Sequence, residues 1–546
     1  MRRSALITSA AILLLAAGLG GGAASLAAPP TPPETLPELP REYVDTALVQ
    51  STGKVLHVPA GGDLQAALHR AQPGDVITLA PGATYRGPFT APKKAGDLWI
   101  TVRTGAPDSA LGPAGRRISP AQSQLMPKLI AGSGSVLALA PGAHHYRFIG
   151  LEISPAPGTF LYNVVSPASE ARQDADQPHH IIFDRCYLHG DPAKGSRRGI
   201  ALNGRHMAVI HSYLSDFKEA GADSQAIAGW NGAGPFKILD NFLEGAAENM
   251  IFGGGDPAIS GLVPSDIEIR GNTFGKDAAW NPRGKAADAP RWTLKNLFEL
   301  KNARRVLIEG NEFRDYLWGP AIVVTPRNQS GTAPWSTVED VTIRHNVIHG
   351  VWYVMTVSGS DEYHPSRPTA RVLFEHNLAY DLSDPRAGDT NPKTIIVNQA
   401  PDHLVIRRNT LLTNPGLGSS LFVFANAQLR KGQGFVFRDN IAHVGAYGLG
   451  GENPPLGNTP ATLLDGHFSS WIFEGNLLIG AQPADRGRYP ARQLWEDSLD
   501  KVGFADVAAK DFRLSARSRY RMGADVASIS ATIGRYMTPT RPPATR

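Results

Sequence analysis

Residues 306–313 read VLIEGNEF. Apolar residues open the phrase, Asn311 follows, and an aromatic stands two places on. The phrase returns as FKILDNFL around Asn241, IEIRGNTF around Asn272, VTIRHNVI around Asn346 and VLFEHNLA around Asn377. It returns again as LVIRRNTL around Asn409, FVFRDNIA around Asn440 and WIFEGNLL around Asn476. Two degenerate copies come earlier, IIFDRCYL with Cys186 and AVIHSYLS with Ser212 in the Asn position. From Asn241 to Asn476 the spacings are 31, 39, 35, 31, 32, 31 and 36 residues.

A unit returning every thirty-odd residues, with slack, marks a solenoid. Its alternating β-branched and aromatic residues mark a strand. Coils one strand spacing apart, about 4.8 Å, stack each Asn over the next. The amides then bond up and down the column and to turn backbone. Asn also tolerates the left-handed conformation that a sharp bend needs. A run of unrelated Asn turns in an antiparallel protein would not keep one phase through eight copies.

Of 546 residues, 42% are hydrophobic and 19% charged, which places the chain among globular proteins. One cysteine, Cys186, rules out an intrachain disulfide and reads as a core thiol. The net charge is +5, two of it from Arg2 and Arg3. That excess is compatible with an anionic polysaccharide without arguing for one. No basic block with interleaved aromatics points to nucleic acid.

Residues 1–28 read as a secretory signal: Arg2 and Arg3, an apolar run, then a small-residue exit. Its run is short and Gly-broken, and no Cys follows, so neither a membrane helix nor a lipid anchor is expected. Residues 29–53 are expected to be a linker, stiff and extended where Pro is dense. From residue 54 the pattern is strand, short helix, strand, turn, strand. Asp63 is the expected N-cap, and Leu64, Ala67, Leu68 and Ala71 line one face. This helix is expected to cap the first coil, whose core and strand edge would otherwise be bare. The coils are expected over 54–527, with a tail over 528–546 that frays after Gly534.

The opening PGDVITLAPGATY, the Asn-turn coils and the closing DFRLSARSRYRMGADV resemble secreted right-handed parallel β-helix proteins of the pectin lyase-like superfamily. The resemblance implies an all-β, right-handed parallel β-helix solenoid with an N-terminal helical cap and three strands per coil. The superfamily includes lyases, hydrolases, epimerases, adhesins and proteins of no known activity. The resemblance therefore leaves the reaction open.

In its enzymes the sugar chain usually lies along the sheet of first strands. NLFELKNA is such a strand, and alternation turns Phe298 and Leu300 inward, Glu299 and Lys301 outward. The same phase turns Asn203, Trp230, Thr325, Ser358 and Asn398 outward. Superfamily lyases use Lys or Arg bases, often with Ca²⁺ held by carboxylates. Lys301 is then the expected base, with Arg304 or Arg327 as neutraliser. Glu299, Asp256 and Glu248 are expected Ca²⁺ ligands or orienting groups. Trp230, Trp318, Trp352, Tyr353 and Asn398 are expected to bind sugar, since aromatic faces stack on pyranose rings. Inserts at 275–293, 325–338, 358–371 and 448–470 are expected to wall the groove.

Hydrolysis needs two opposed carboxylates, which Asp223, Glu248, Asp256 and Glu299 could supply. The motifs of polygalacturonase-like enzymes are missing, and RPTAR (367–371) misses the Arg-x-Pro-x-x-Arg of pectate lyases. The pairs His144-His145 and His179-His180 lack zinc-ligand spacing and read as structural. The expectation is a secreted or periplasmic monomer, lyase-like, acting on an acidic polysaccharide by β-elimination. The alternatives are a non-catalytic glycan- or surface-binding β-helix, a hydrolase and a C5-epimerase.

Overall fold

Every copy of the Asn phrase ends a strand of one long parallel sheet. The computed structural model describes residues 34–113, 115–281, 291–383, 393–414, 419–427, 429–451 and 460–537. Among these, 14 strands make the sheet, from Val55–Val58 to Trp471–Glu474, each paired with its counterpart one coil on. Apolar partners meet apolar partners in register, as in Ile267 with Val306 and Val306 with Val341. After the Asn the chain forms a third-strand column, then a first-strand column. Glu312–Val324 and Val347–Ser358 run through both columns unbroken, joining them into one assignment of 24 strands. The fold is a parallel β-helix with three strands per coil, wound in the right-handed sense that parallel crossovers favour.

The interior is apolar and rich in aromatic rings. Phe148 stacks on Phe183 at 5.1 Å and Phe274 on Phe313 at 4.6 Å. Each such buried ring contributes about 2–3 kcal/mol by area removed from water. Cys186 belongs to this core, and burial pushes its thiol up to about 12.

The Asn column forms as the spacing predicts. Asn241, Asn272, Asn311, Asn346, Asn377, Asn409, Asn440 and Asn476 are all fully buried. The Oδ1 of Asn311 accepts from the main-chain N–H of Asn272 at 2.9 Å and from its Nδ2 at 3.0 Å. The Nδ2 of Asn311 donates to Ile269 O and to Asn346 Oδ1, both at 3.0 Å. The column does not stop at the amides. Ser212 N–H donates to Asn241 Oδ1 at 2.9 Å, and Cys186 N–H to Ser212 Oγ at 3.0 Å. At the far end Gln493 Oε1 accepts from Asn476 Nδ2 at 3.1 Å.

One expectation about the turn is corrected. The left-handed residue is the one before each Asn: φ is 52° at Asp240, 55° at His345 and 53° at Arg408. The Asn is freed from bending the chain because its amide satisfies the backbone on both sides. At Gly271 and Gly310, also left-handed, glycine serves a second purpose. A Cβ there would lie 2.7 Å from Tyr536 and 2.9 Å from Thr532. Both belong to the helix Val526–Tyr536, which lies against these corners. The segment expected as a tail is thus docked as far as residue 537. The fraying expected beyond it falls outside the described residues.

The linker expectation meets a similar finding. Residues 34–47 lie across the 14-stranded sheet of Asn-ended strands, the second sheet of the coil. Glu34 pairs with Arg407 at 2.6 Å and Arg438 at 2.9 Å, Arg41 N–H donates to Asp266 at 2.8 Å, and Val44 is buried beside Ile182 and Ile210. Prolines keep this strip extended, and its charges match the rows it crosses. The short helix forms over Leu64–Arg70, with Asp63 Oδ1 accepting from Ala66 N–H at 2.8 Å. Its Leu64, Ala67 and Leu68 enter the main core.

Candidate functional site

The first-strand sheet carries the expected alternation. Phe298 and Leu300 are fully buried in the core. Glu299 lies in a rung with Ile251, Val323 and Thr356 on the opposite face. One outward step further along runs the row Trp230, Gly253, Lys301, Thr325, Ser358, Asn398. Gly253 is what gives Lys301 room, because a Cβ there would lie 2.8 Å from Lys301 Cβ. Asn203 Oδ1 accepts from the N–H of Trp230 at 2.9 Å. Thr325 Oγ1 donates to Ser358 Oγ at 3.3 Å. Asn398 donates to Glu362 at 2.8 Å and accepts from Asn426 at 2.6 Å.

Behind this row lies a charge network centred on Lys295. Its Nζ is 2.7 Å from Glu248 Oε1, 2.8 Å from Asp223 Oδ2 and 3.9 Å from Glu299 Oε2. Lys301 Nζ stands 3.5 Å from the other Glu299 oxygen. Glu248 Oε2 accepts from Gln225 Nε2 at 2.7 Å, and Gln225 Oε1 from Arg198 Nε at 3.2 Å. The Arg198 guanidinium lies 5.0 Å over the Trp230 ring. Burial drives the Glu248 carboxyl up, the nearby Glu299 adds to this, and Lys295 opposes it. Burial works against the Lys295 ammonium too, but Glu248, Glu299 and Asp223 together hold its pKa above the ordinary lysine value.

Beneath the network Lys276 donates to Gly245 O at 2.5 Å, Ala246 O at 2.8 Å, Ala247 O at 3.1 Å and Asn249 Oδ1 at 3.0 Å. Burial pulls its pKa down to about 7. The Tyr316 ring lies 4.9 Å from Lys276 Nζ, and the Tyr316 hydroxyl donates to Lys295 O at 2.9 Å.

The other expected residues divide between two places. Trp318 packs edge-on to Tyr316 at 6.5 Å. Trp352 is edge-on to Tyr353 at 5.5 Å, and Tyr353 Oη accepts from Thr356 at 3.2 Å. These rings sit on the long strands next to Tyr316 and Lys295, while Trp230 stands at the other end of the row. Arg327 N–H donates to Lys301 O at 2.8 Å. Its guanidinium is 2.7 Å from Asp361 and 4.8 Å over the Tyr363 ring, so it pins the 325–338 loop to the 358–371 loop. Arg304 lies on the second sheet, paired with Ser265 and Glu339, its guanidinium 3.9 Å from Glu339. The corner after Lys301 turns it away from the row.

Asp256 Oδ2 accepts from Ser330 N–H and Thr332 N–H at 3.0 Å and from Thr332 Oγ1 at 2.7 Å. It tethers a loop and is not assembled with Glu248 into one oxygen cage. Calcium takes six to eight oxygens, whereas Glu248 and Glu299 face an ammonium. The donor set as it stands does not fit that ion.

Arg198, Gln225, Lys276 and Lys295 escaped the sequence reading. Arg198, Gln225 and Glu248 share one rung. Aligning coils residue by residue would have put them together. Lys295 falls between the 275–293 insert and the strand phrase that opens at Asn296, where the repeat gives no register.

No protein-family profile matches the chain, and no curated protein matches it. Among solved structures, it is similar to the PL6 family alginate lyase AlyGC (14% identity, TM-score 0.43), covering 87% of this chain and 57% of that one. The chain thus spans just over half the alginate lyase's length. Pectate lyase Pel9A shares 14% identity (TM-score 0.34; 87% of this chain, 90% of that one). The GH136 lacto-N-biosidase from Eubacterium ramulus shares 12% (TM-score 0.38; 78% of this chain, 68% of that one). At these scores the likenesses carry nothing about the reaction or the substrate.

Proposed function

We propose that the chain is an exported carbohydrate-active protein that cleaves an acidic polysaccharide by β-elimination on the outer face of the first-strand sheet. The observation that supports this is one row: the Trp230 ring, the Lys301 ammonium beside Glu299, then the hydroxyl and amide groups of Thr325, Ser358 and Asn398. Stacked rungs repeat at about 4.8 Å, which suits a polymer lying across them. β-Elimination needs a base for the proton α to the uronate carboxylate and cations to hold the charge that develops there. Lys301 takes the first role. Lys295 and Arg327 are the nearest cations for the second, and the ring faces bind sugar.

Hydrolysis is the rival reading, favoured by the convergence of Asp223, Glu248 and Glu299 on one Lys295 nitrogen. One assay separates the readings. Full-length chain is incubated with a panel of polyuronates, and ultraviolet absorbance of unsaturated product is followed beside release of reducing ends. Elimination raises both signals and hydrolysis only the second. If neither rises while the chain still binds a polyuronate, the protein is a glycan-binding module and the catalytic proposal falls.

A further inference from the structure

Where the chain enters the second sheet, three successive coils bring five imidazoles into two columns. His144 stacks on His179 with centroids 4.7 Å apart and planes 4° from parallel. His145 stacks on His180 at 4.4 Å, and His180 on His206 at 4.5 Å. Within each coil the columns touch: Nδ1 of His144 is 2.8 Å from Nδ1 of His145, and Nδ1 of His179 is 2.8 Å from Nδ1 of His180. The register that pairs His179 with His144 makes this arrangement. Trp99 walls it edge-on, 5.2 Å from His145.

The same corner in later coils shows what a purely structural solution looks like. Asp266 and Arg305 form a fork at 2.7 and 2.6 Å, and Asp340 and Arg371 another at 2.6 and 2.8 Å. Left-handed backbone is common to all of them, with φ of 55° at His145, 53° at His180, 60° at Asp266 and 52° at Arg305. Backbone need therefore does not select histidine. What distinguishes the early coils is that the imidazole nitrogens face each other.

We infer that His144, His145 and His179 form a binding site for a borderline transition-metal dication of the zinc class. The candidate ligand atoms of His144, His145 and His179 already lie within 4.8 Å of one another. Nitrogens bound tetrahedrally at about 2.0–2.1 Å stand roughly 3.4 Å apart, so ring rotations of about an ångström close the set. Imidazole selects such ions over calcium, which prefers oxygen. The site stands apart from the first-strand row and does not rest on the proposed reaction.

The test uses full-length chain without a polyhistidine tag, stripped by chelator and titrated with ZnCl₂ under excess CaCl₂. One equivalent of zinc should bind, and the thermal midpoint should rise with zinc. The double variant His145→Asn/His179→Asn should weaken binding by more than about tenfold. Asn suits the left-handed backbone at residue 145. The single variant His144→Gln, which keeps the corner backbone, should weaken binding in the same direction and serves if the double variant does not fold. His403→Asn, at the same corner downstream, should bind zinc as the parent does. Failure of the parent to retain zinc, or unchanged affinity in a folded His144 or His145/His179 variant, overturns the inference.

Discussion

The Asn column and the Trp230–Lys301–Asn398 row are built by the same device, one residue per coil stacked in register, yet they differ in kind. Inside, eight identical rungs bond to each other and to backbone, and no amide is left for anything else. Outside, the rungs differ: Trp230, Lys301, Thr325 and Asn398 are half-buried, and Ser358 is buried. A solenoid makes columns wherever its register holds. Repetition of one side chain is therefore the mark of structure, and variation along an outer, half-buried row is what sets the candidate site apart.

The comparison breaks first at Asn311. Asn311→Ala removes acceptor and donor together. It strips Asn272 N–H of its acceptor and takes one donor each from Ile269 O and Asn346 Oδ1, the latter keeping the main-chain N–H of residue 311. At about 1–3 kcal/mol per orphaned group, stability should fall by about 4 kcal/mol, read as a lower urea midpoint. A loss below about 1 kcal/mol would show that the column merely fills space.

Lys301→Ala should do the reverse. Product formation on the responsive polyuronate should drop about 10²- to 10⁴-fold, with the urea midpoint lowered less than by Asn311→Ala, because Glu299 keeps Lys295 and Asn296. Retained activity removes Lys301 from the proposal. Trp230→Ala sharpens the contrast further along the row. Losing one stacking face should raise KM about 2- to 10-fold at unchanged kcat. A fall in kcat alone would place Trp230 in support of Arg198 instead.

The smallest effect tests a rung that is neither repeated nor in the row. Glu152 is bonded to Lys128, Ser123 and, at 3.4 Å, His189. Burial raises its carboxyl, but these partners outweigh it and lower the pKa to about 2. Because the folded value lies below the unfolded one, its stabilisation is complete above about pH 4.5 and vanishes as pH falls towards 2. Glu152→Gln should cost about 1 kcal/mol at pH 7, discounted for partial exposure, and only a small part of that at about pH 2, the folded midpoint. Equal loss at both pH values would assign the effect to packing.

What the chain's one-dimensional pattern determined was whatever repeats. Period-two apolar runs set the strands, the thirty-odd spacing set the coils, and the Asn set the inner column, because each depends on neighbours in sequence or on one recurring step. The outward phase of Glu299 and Lys301 followed from the same alternation. Tertiary structure alone decided which coil meets which insert. Lys295 reaches Glu248 and Glu299 from a segment with no period, and Arg304 is lost to the row because a corner intervenes. The paired histidines looked unrelated because metal spacing was sought along the chain, while a solenoid brings ligands together across one coil. The docked strip at 34–47 and the helix Val526–Tyr536 were also hidden. Their partners are charges and glycines hundreds of residues away, and no local pattern records such distant surfaces.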